Sequence, residues 1–395
     1  MNHSAETIAV AVLLIVAIAG YALFAGADLG GGIWDLLAGG DQRGAAPRAE
    51  IDASVTPVWE ANHVWIIFGL VVFWTGFPSA FGAVMTALFV PLALSLLGIV
   101  LRGVGFAFRH EAERLSTKRL YGAMFAASSL ITPFFLGTVV GAVATGAVPA
   151  NPGGNVFSAW TSPTAVVTGV LFVATCAYIS GIYLVADCDR RGRPDMARYF
   201  RRRALAAGMA AGMLAAINLV LLRDSAPYLW DRLLGPALPA VVVSVVGGIA
   251  ALVLLPTNRP HLLRGAAALA VAGVVAGWGV AQYPWILPGA LTLAQGSAPL
   301  STQLALFAVL GLAVLLVLPA FAWLYWLQQH EVLHESPPPV PPAALAGGNR
   351  IPAENARPGA TRPATDRHPV METAVIAIIA TGVVREIARQ LFRRH

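Results

Sequence analysis

Three groups of charged or polar residues stand at the ends of long apolar stretches, where their types and spacing could move protons. Asp28 follows the first apolar stretch in FAGADLGGGIWDLLAG, and Glu60 and His63 lie three residues apart in TPVWEANHVWIIFGL. Helical residues at this spacing share one face. Imidazole titrates near neutrality, and burial can bring a carboxyl toward the same range. Asp28, Glu60 and His63 are therefore candidate members of a proton path.

Each of these residues also has a simpler interpretation. Three glycines follow Asp28, which is typical of a glycine-capped helix end with the carboxylate in water. Glu60 stands near the N-terminus of a predicted helix, where a negative charge interacts favourably with the helix dipole. Arg102 and Arg109, in LSLLGIVLRGVGFAFRHE, fit positively charged anchors at the end of a span. The residues alone favour the simpler interpretation for Asp28 and Arg102, and they leave both open for Glu60 with His63.

Other kinds of chemistry find no support in the sequence. The chain has eight histidines, and no two of them fall within apolar stretches as a pair of axial haem ligands would. Cys176 and Cys188 stand 12 positions apart, about 18 Å along a helix, so we expect two free thiols. No phosphate-binding glycine motif is present in a suitable context. We therefore predict no metal, haem or nucleotide site in this chain.

The composition indicates that the elements positioning these residues cross a membrane. Hydrophobic residues make up 57% of the 395 and charged residues 12%, against about 25% in ordinary soluble domains. The mean hydropathy is +0.70. The apolar residues form blocks of roughly 20, the length that crosses a hydrocarbon core of about 30 Å. An all-α polytopic membrane protein is predicted, with spans near 5–26, 58–76, 79–101, 121–146, 160–186, 204–222, 236–255, 265–281 and 301–327.

The second and third spans are joined only by Gly76-Phe77-Pro78-Ser79, which predicts a tight hairpin. The basic residues predict the orientation. Sixteen arginines and lysines fall in the loops after the first, third, fifth and seventh spans, and the opposite segments carry only Arg223 and Arg232. By the positive-inside rule the N-terminus lies outside and the C-terminus inside. The net charge of +6 is explained by this bias, so no nucleic-acid partner is predicted.

After the predicted membrane domain, residues 1–330, the composition changes. Residues 331–370 are rich in Pro and Ala and are typical of an extended or disordered linker. Residues 371–395 have a short apolar core followed by arginines, which favours an amphipathic helix on the inner membrane surface over a tenth span.

Several segments resemble motifs of subunit II of cytochrome bd-type quinol oxidases. Family members show D-G-F-D-L-G after the first helix, P-x-W-[DE]-x-N-x-x-W entering the second, F-P-x-A-[FY] at the hairpin and R-G-V-[AG]-F-[ED]-[FY]-R after the third. The resemblance is strong over about residues 20–110. The matching residues are Asp28; Pro57, Trp59, Glu60, Asn62 and Trp65; Phe77, Pro78, Ala80 and Phe81; and Arg102, Gly103, Val104, Phe106, Phe108 and Arg109.

The resemblance implies nine transmembrane helices, arranged as two four-helix bundles plus one peripheral helix. It implies a bacterial cytoplasmic-membrane complex that oxidises quinol and reduces oxygen to water. Haems b and d and the quinol site belong to the partner subunit I, and this chain supplies no catalytic residue. A small accessory subunit, membrane lipids and quinone are further possible partners.

Within such a complex, the resemblance implies that Glu60 lines a proton path from the inner face, with Asp28 and His63 as further candidates. Structural or subunit-contact roles are expected for Trp59, Asn62, Trp65, Arg102 and Arg109.

This sequence also departs from the family pattern. Ala25 and Ala107 replace two acids, and His63 stands where the family often has Glu or Gln. Two alternatives remain open at this stage: a proton-coupled secondary transporter, and a subunit that acts only as a scaffold.

Overall fold

Helices form most of the chain that the structure describes, which confirms an all-α polytopic membrane protein. The structure is a computed structural model, and it describes residues 4–55, 62–111, 115–151, 157–257 and 259–329. The helices are α1 (Ala5–Gly20), α2 (Gly26–Leu36), α3 (Asp41–Val55), α4 (Val64–Gly76), α5 (Pro78–Ala87), α6 (Phe89–Glu111), α7 (Leu115–Ala144), α8 (Pro163–Arg190), α9 (Pro194–Ser225), α10 (Pro227–Leu233), α11 (Leu238–Leu254), α12 (Pro260–Gln282), α13 (Leu293–Gly296) and α14 (Leu300–Gln329).

The helix lengths limit the number of membrane crossings but do not determine it. Within the described ranges, six helices are long and apolar enough to cross a membrane, and two bent helix pairs would raise the number to eight. A shorter apolar stretch, Leu300–Leu316, lies in α14. The nine crossings, their orientation and the two-bundle arrangement therefore stay predictions.

The first membrane helix is longer than the predicted span 5–26. A π-helical segment, Tyr21–Ala25, joins α1 to α2, so the helical path runs from Ala5 to Leu36. The three consecutive glycines after Asp28 continue the helix instead of ending it. Their lack of side chains lets α2 approach α8 closely, since a Cβ on Gly30 would overlap the carbonyl oxygen of Cys176.

The predicted hairpin between the second and third spans is present as a sharp bend, but the third span is not continuous. The axes of α4 and α5 differ by 119° across Phe77. The span predicted at 79–101 breaks at Leu88, where α5 ends and α6 begins. Pro91 lies in the first turn of α6, where its missing N–H is tolerated, and it cannot continue a helix that arrives from α5.

Several segments predicted as loops are ordered. The basic residues from Arg198 to Arg203 lie in α9, which begins at Pro194. The loop after the first span contains α3. Between α12 and α14, the strands β1 (Trp285–Leu287) and β2 (Leu291–Thr292) pair antiparallel, with Leu287 opposite Leu291. This ribbon is a small addition to the helical fold.

Small residues set the distance between neighbouring membrane helices. A Cβ on Gly137 in α7 would lie 2.7 Å from the Cα of Gly169 in α8, and one on Gly247 in α11 would lie 2.8 Å from the backbone nitrogen of Ala270 in α12. The hydroxyl of Ser244 donates to the Ala270 carbonyl at 2.8 Å. Lipid gives no hydrophobic reason for helices to associate, so close van der Waals packing and such hydrogen bonds hold them together.

These helices form one unit that covers residues 1–322, and residues 323–395 form a second. Of the second unit, the structure describes only the last turns of α14. The predicted linker at 331–370 and the amphipathic helix at 371–395 lie outside the described residues.

Replacing Gly30 by Ala should destabilise the protein by about 1–3 kcal/mol, because the added methyl meets backbone that cannot move aside. The measurement is thermal unfolding of the purified protein in detergent. Gly212→Ala is the matched control, since Gly212 lies in α9 with nothing within 4 Å of its added Cβ. That change should be neutral or stabilising by up to about 1 kcal/mol. Equal melting of the two variants would contradict the close packing of α2 on α8.

Candidate functional site

A buried carboxylate and a buried guanidinium form the centre of the candidate site. Asp28 lies in the first turn of α2 and is 2% exposed, and Arg102 lies in α6 and is 1% exposed. A charge transferred from water into such surroundings is costly unless it is paired and hydrogen-bonded. The two residues satisfy this requirement together, although 74 positions separate them in the chain.

The pair has the two-pronged geometry that makes Arg–carboxylate contacts strong. The Nε of Arg102 donates to Oδ2 of Asp28 at 3.0 Å, and its Nη2 donates to Oδ1 at 2.6 Å. The same Nη2 donates to the backbone carbonyl of Asp28 at 2.7 Å. These bonds fix α2 against α6.

A third helix, α7, completes the surroundings of the guanidinium. Nη1 of Arg102 donates to the hydroxyl of Ser129 at 2.6 Å, and that hydroxyl donates to the carbonyl of Phe125 at 2.8 Å. The Phe125 ring lies 4.3 Å from the guanidinium carbon, in cation–π contact. A Cβ on Gly32 would collide with the Ser129 hydroxyl, so glycine is needed where α2 faces this network.

His63 lies beside the pair, at the start of α4. Its Nε2 is 4.0 Å from Oδ2 of Asp28, too long for a hydrogen bond but close enough for a strong charge interaction. Its side chain is 15% exposed. Neither ring nitrogen has a hydrogen-bond partner among the residues that the structure describes. Burial lowers the pKa of the His63 imidazole, with the Asp28 carboxylate acting in the opposite direction and the Arg102 guanidinium in the same direction as burial.

The structure brings together Asp28, His63 and Arg102, three of the residues that the sequence singles out. Asn62 is buried next to His63. Trp65 packs its ring over the bare backbone of Gly20 and stacks on Phe24, with ring centroids 5.7 Å apart. Glu60 and Trp59 lie outside the described residues. Arg109 falls within α6, and its side chain is likewise outside the described part.

Two of the simpler sequence interpretations are wrong. Asp28 is not a carboxylate in water at a glycine-capped helix end, because α2 continues through the glycines and buries it. Arg102 is not an anchor at the lipid headgroups, because its side chain is enclosed by three helices. Both interpretations rested on residue type and position along the chain, whereas the partner that buries each residue comes from a distant segment.

A second set of ion pairs joins the ends of α3, α8, α9 and α12. Glu50, which is buried, is contacted by Arg191 at 3.3 Å and Arg193 at 3.2 Å. Asp187 pairs with Arg190 and Arg264, and Asp189 pairs with Arg201 at 2.8 Å. Many of the arginines that predict the orientation therefore also form ion pairs with acids, and these ion pairs join the helix ends.

Sequence reasoning missed Ser129 and Glu50 in these networks, and it missed Tyr21, whose buried ring lies 6.3 Å from the His63 ring. Ser129 belongs to the Ser128-Ser129 pair within a long apolar helix, which is a detectable but weak signal. Tyr21 belongs to an apolar stretch and carries no signal of its own. Glu50 lies in a segment that hydropathy marks as a loop.

A comparison with models of protein families identifies the chain. The model for cytochrome bd terminal oxidase subunit II matches residues 6–328. The chain belongs to this family. The resemblance drawn from the motifs between residues 20 and 110 is confirmed, and the match extends over nearly all of the described part.

Individual relatives of this subunit II agree with the family. The cytochrome bd-I ubiquinol oxidase subunit 2 of Escherichia coli (strain K12) is 24% identical over 359 residues, covering 80% of this chain and 91% of that protein. The cytochrome bd ubiquinol oxidase subunit 2 of Bacillus subtilis (strain 168) is 27% identical over 128 residues, covering 32% of this chain and 37% of that protein.

The fold of this subunit II also matches a solved structure. The bd oxidase of Geobacillus thermodenitrificans contains a chain with a TM-score of 0.66 and 21% identity, and the match covers 84% of this chain and 99% of that one. At this identity the likeness concerns the fold.

Replacing Asp28 by Asn should destabilise the subunit by about 3–5 kcal/mol, because Arg102 would remain buried without a counter-charge. Thermal unfolding and the yield of folded protein measure this. Asp195→Asn is the control, since the Asp195–Arg198 pair in α9 is exposed to solvent and should contribute little. Adding Arg102→Gln to Asp28→Asn should restore part of the loss. A double variant less stable than Asp28→Asn would contradict a cost that arises from the unpaired charge.

Proposed function

We propose that this chain is the non-haem subunit II of a cytochrome bd-type complex in a bacterial cytoplasmic membrane. The complex oxidises quinol and reduces oxygen to water, and this chain packs against the haem-bearing subunit I. Family membership and the apolar helices support this proposal. So do the relatives whose names describe ubiquinol oxidase subunits. Lipids, quinone and a small accessory subunit are further proposed partners.

Haems b and d are proposed to bind the partner subunit I and to supply the oxygen chemistry there. The family of this chain and the relatives named as bd oxidase subunits support a haem-dependent complex.

The proposed contribution of this chain to turnover is to pass protons from the inner face toward subunit I. Oxygen reduction consumes protons, and buried groups must deliver them through a region without bulk water. The observation that carries the proposal is the imidazole of His63, 4.0 Å from a carboxylate oxygen of the buried Asp28–Arg102 pair. Burial lowers the pKa of the His63 imidazole, the Asp28 carboxylate raises it and the Arg102 guanidinium lowers it further, so the net shift is downward.

Glu60 is proposed as the acid through which protons enter. It precedes Asn62 and His63 in the motif that matches the family, and the structure describes Asn62 as buried. Positions 60 and 63 are three apart in the sequence, the spacing at which two residues of a helix share one face. The family match does not favour the alternative of a secondary transporter, and a purely structural role is tested by the variants below.

Purification from the membrane should yield this chain together with a second, haem-bearing subunit and visible haem absorption. The experiment is affinity isolation of the tagged full-length chain in mild detergent, followed by an absorption spectrum and a quinol-dependent oxygen-uptake assay. A colourless preparation of this chain alone, stable and monodisperse, would overturn the proposed function.

Glu60→Ala should slow oxygen reduction by the assembled complex while leaving its haem content unchanged. A single positioned proton-transfer group is worth roughly 10²–10⁴-fold in rate, and alternative water routes would reduce that loss. Oxygen uptake and the haem-to-protein ratio are measured on the same preparation. Asp231→Ala, at an exposed acid on the predicted outer side, is the control and should turn over normally. Normal turnover of Glu60→Ala, or a loss of haem in step with activity, would make Glu60 a structural residue.

A further inference from the structure

Tyr21 places a buried hydroxyl close to the Asp28–Arg102 pair. Its side chain belongs to the π-helical segment Tyr21–Ala25, two turns before Asp28, and the residue is 6% exposed. Short π-helical segments are frequent at functional sites, because the extra residue in the turn redirects side chains. The hydroxyl lies within electrostatic range of Asp28, Arg102 and the Cys176 thiol. It has no hydrogen-bond partner within the described parts of the chain.

His63, which lies next to Tyr21, also has buried polar atoms without a hydrogen-bond partner among the described residues. The two rings are 6.3 Å apart between centroids and are inclined by 44°. Three buried polar atoms on these two neighbouring rings have no hydrogen-bond partner among the described residues: the Tyr21 hydroxyl and the two ring nitrogens of His63. Oδ2 of Asp28 accepts one hydrogen bond from Arg102 and keeps a second lone pair.

Buried polar atoms are rarely left without a partner, because each loses its bonds to water and gains nothing in return. One such atom can reflect local packing, but several around one charged pair indicate a common ligand. The 4.0 Å between Nε2 of His63 and Oδ2 of Asp28 is a separation at which a bridging water is expected. A water needs two to four polar partners, and Tyr21, His63 and Asp28 offer that number.

We propose that Tyr21, His63 and Asp28 form a binding site for ordered water, in which Tyr21 is a positioning residue that holds the water against the His63 imidazole. This inference rests on the proposed proton-passing function and deepens it. Arg102 holds the carboxylate of Asp28 with two hydrogen bonds, which keeps the carboxylate in place beside the site.

The water takes up the proton that His63 releases. The N–H bond of the imidazolium breaks and its electron pair stays on nitrogen. The proton forms a new O–H bond on the water while one of the water's own O–H bonds breaks, and that proton passes to the next group of the proposed path toward subunit I, so the water stays neutral. The Tyr21 hydroxyl fixes the water by one hydrogen bond throughout. Arg102 from α6 and Cys176 from α8 also face this site.

Tyr21→Phe in the assembled complex tests the site, because it removes only the hydroxyl. We expect turnover to fall roughly two- to tenfold, the effect of losing one hydrogen bond to the water. We also expect a larger solvent deuterium isotope effect on turnover, with full haem content. Infrared difference spectra in water and deuterium oxide should lose a signal of water bonded to imidazole. Tyr178→Phe is the matched control, because the hydroxyl of Tyr178 is also buried and without a partner within the described residues.

The outcomes separate this inference from the proposed function. Suppose that the wild-type complex contains haem and turns over normally. If Tyr21→Phe and Tyr178→Phe then both behave as the wild type, the water site is overturned and the proposed function stands. The same holds if Tyr21→Phe raises the melting temperature without changing turnover, because removal of a dry, unpartnered hydroxyl stabilises a protein. Equal slowing by both variants also overturns the site. Failure to isolate any haem-bearing complex overturns the proposed function and the inference together.

Discussion

A guanidinium buried among membrane helices can persist only if nearly all of its N–H groups meet acceptors, and this requirement organises the first part of the subunit. Arg102 donates four hydrogen bonds, to the carboxylate and backbone carbonyl of Asp28 and to the hydroxyl of Ser129. Three helices must therefore converge at one point. The glycine at position 32 follows from this, because a side chain at Gly32 would occupy the space of the Ser129 hydroxyl.

The spans of this subunit could be predicted largely from hydropathy, whereas their interruptions could not. A block of about 20 apolar residues indicates that a segment lies in lipid, and this can be read from the segment's own sequence. By contrast, the break at Leu88 and the continuation of the first helix to Leu36 depend on how neighbouring helices pack against these segments. A run of glycines serves equally well to end a helix or to let another helix approach, so the sequence around Gly30 fits both.

The same ambiguity explains which parts of the site were predictable. An acid and an arginine at the ends of apolar stretches are conspicuous, and the family motifs identified Asp28 and Arg102 as residues of interest. Their burial was not predictable, since it depends on each finding the other across 74 positions. Ser129 gave little signal, because a serine hydroxyl in an apolar helix often bonds only to its own backbone. Tyr21 gave none, because it belongs to an apolar stretch. Pairing is a property of the fold, and residue type alone does not reveal it.

The Asp28–Arg102 pair also determines the surroundings of His63. The Asp28 carboxylate accepts two hydrogen bonds from the Arg102 guanidinium and lies 4.0 Å from the imidazole of His63. Burial lowers the pKa of that imidazole, the carboxylate raises it and the guanidinium lowers it. In the proposed proton path, Asp28 and Arg102 therefore set the electrostatic potential at His63, and the same two residues hold together the helices that surround it.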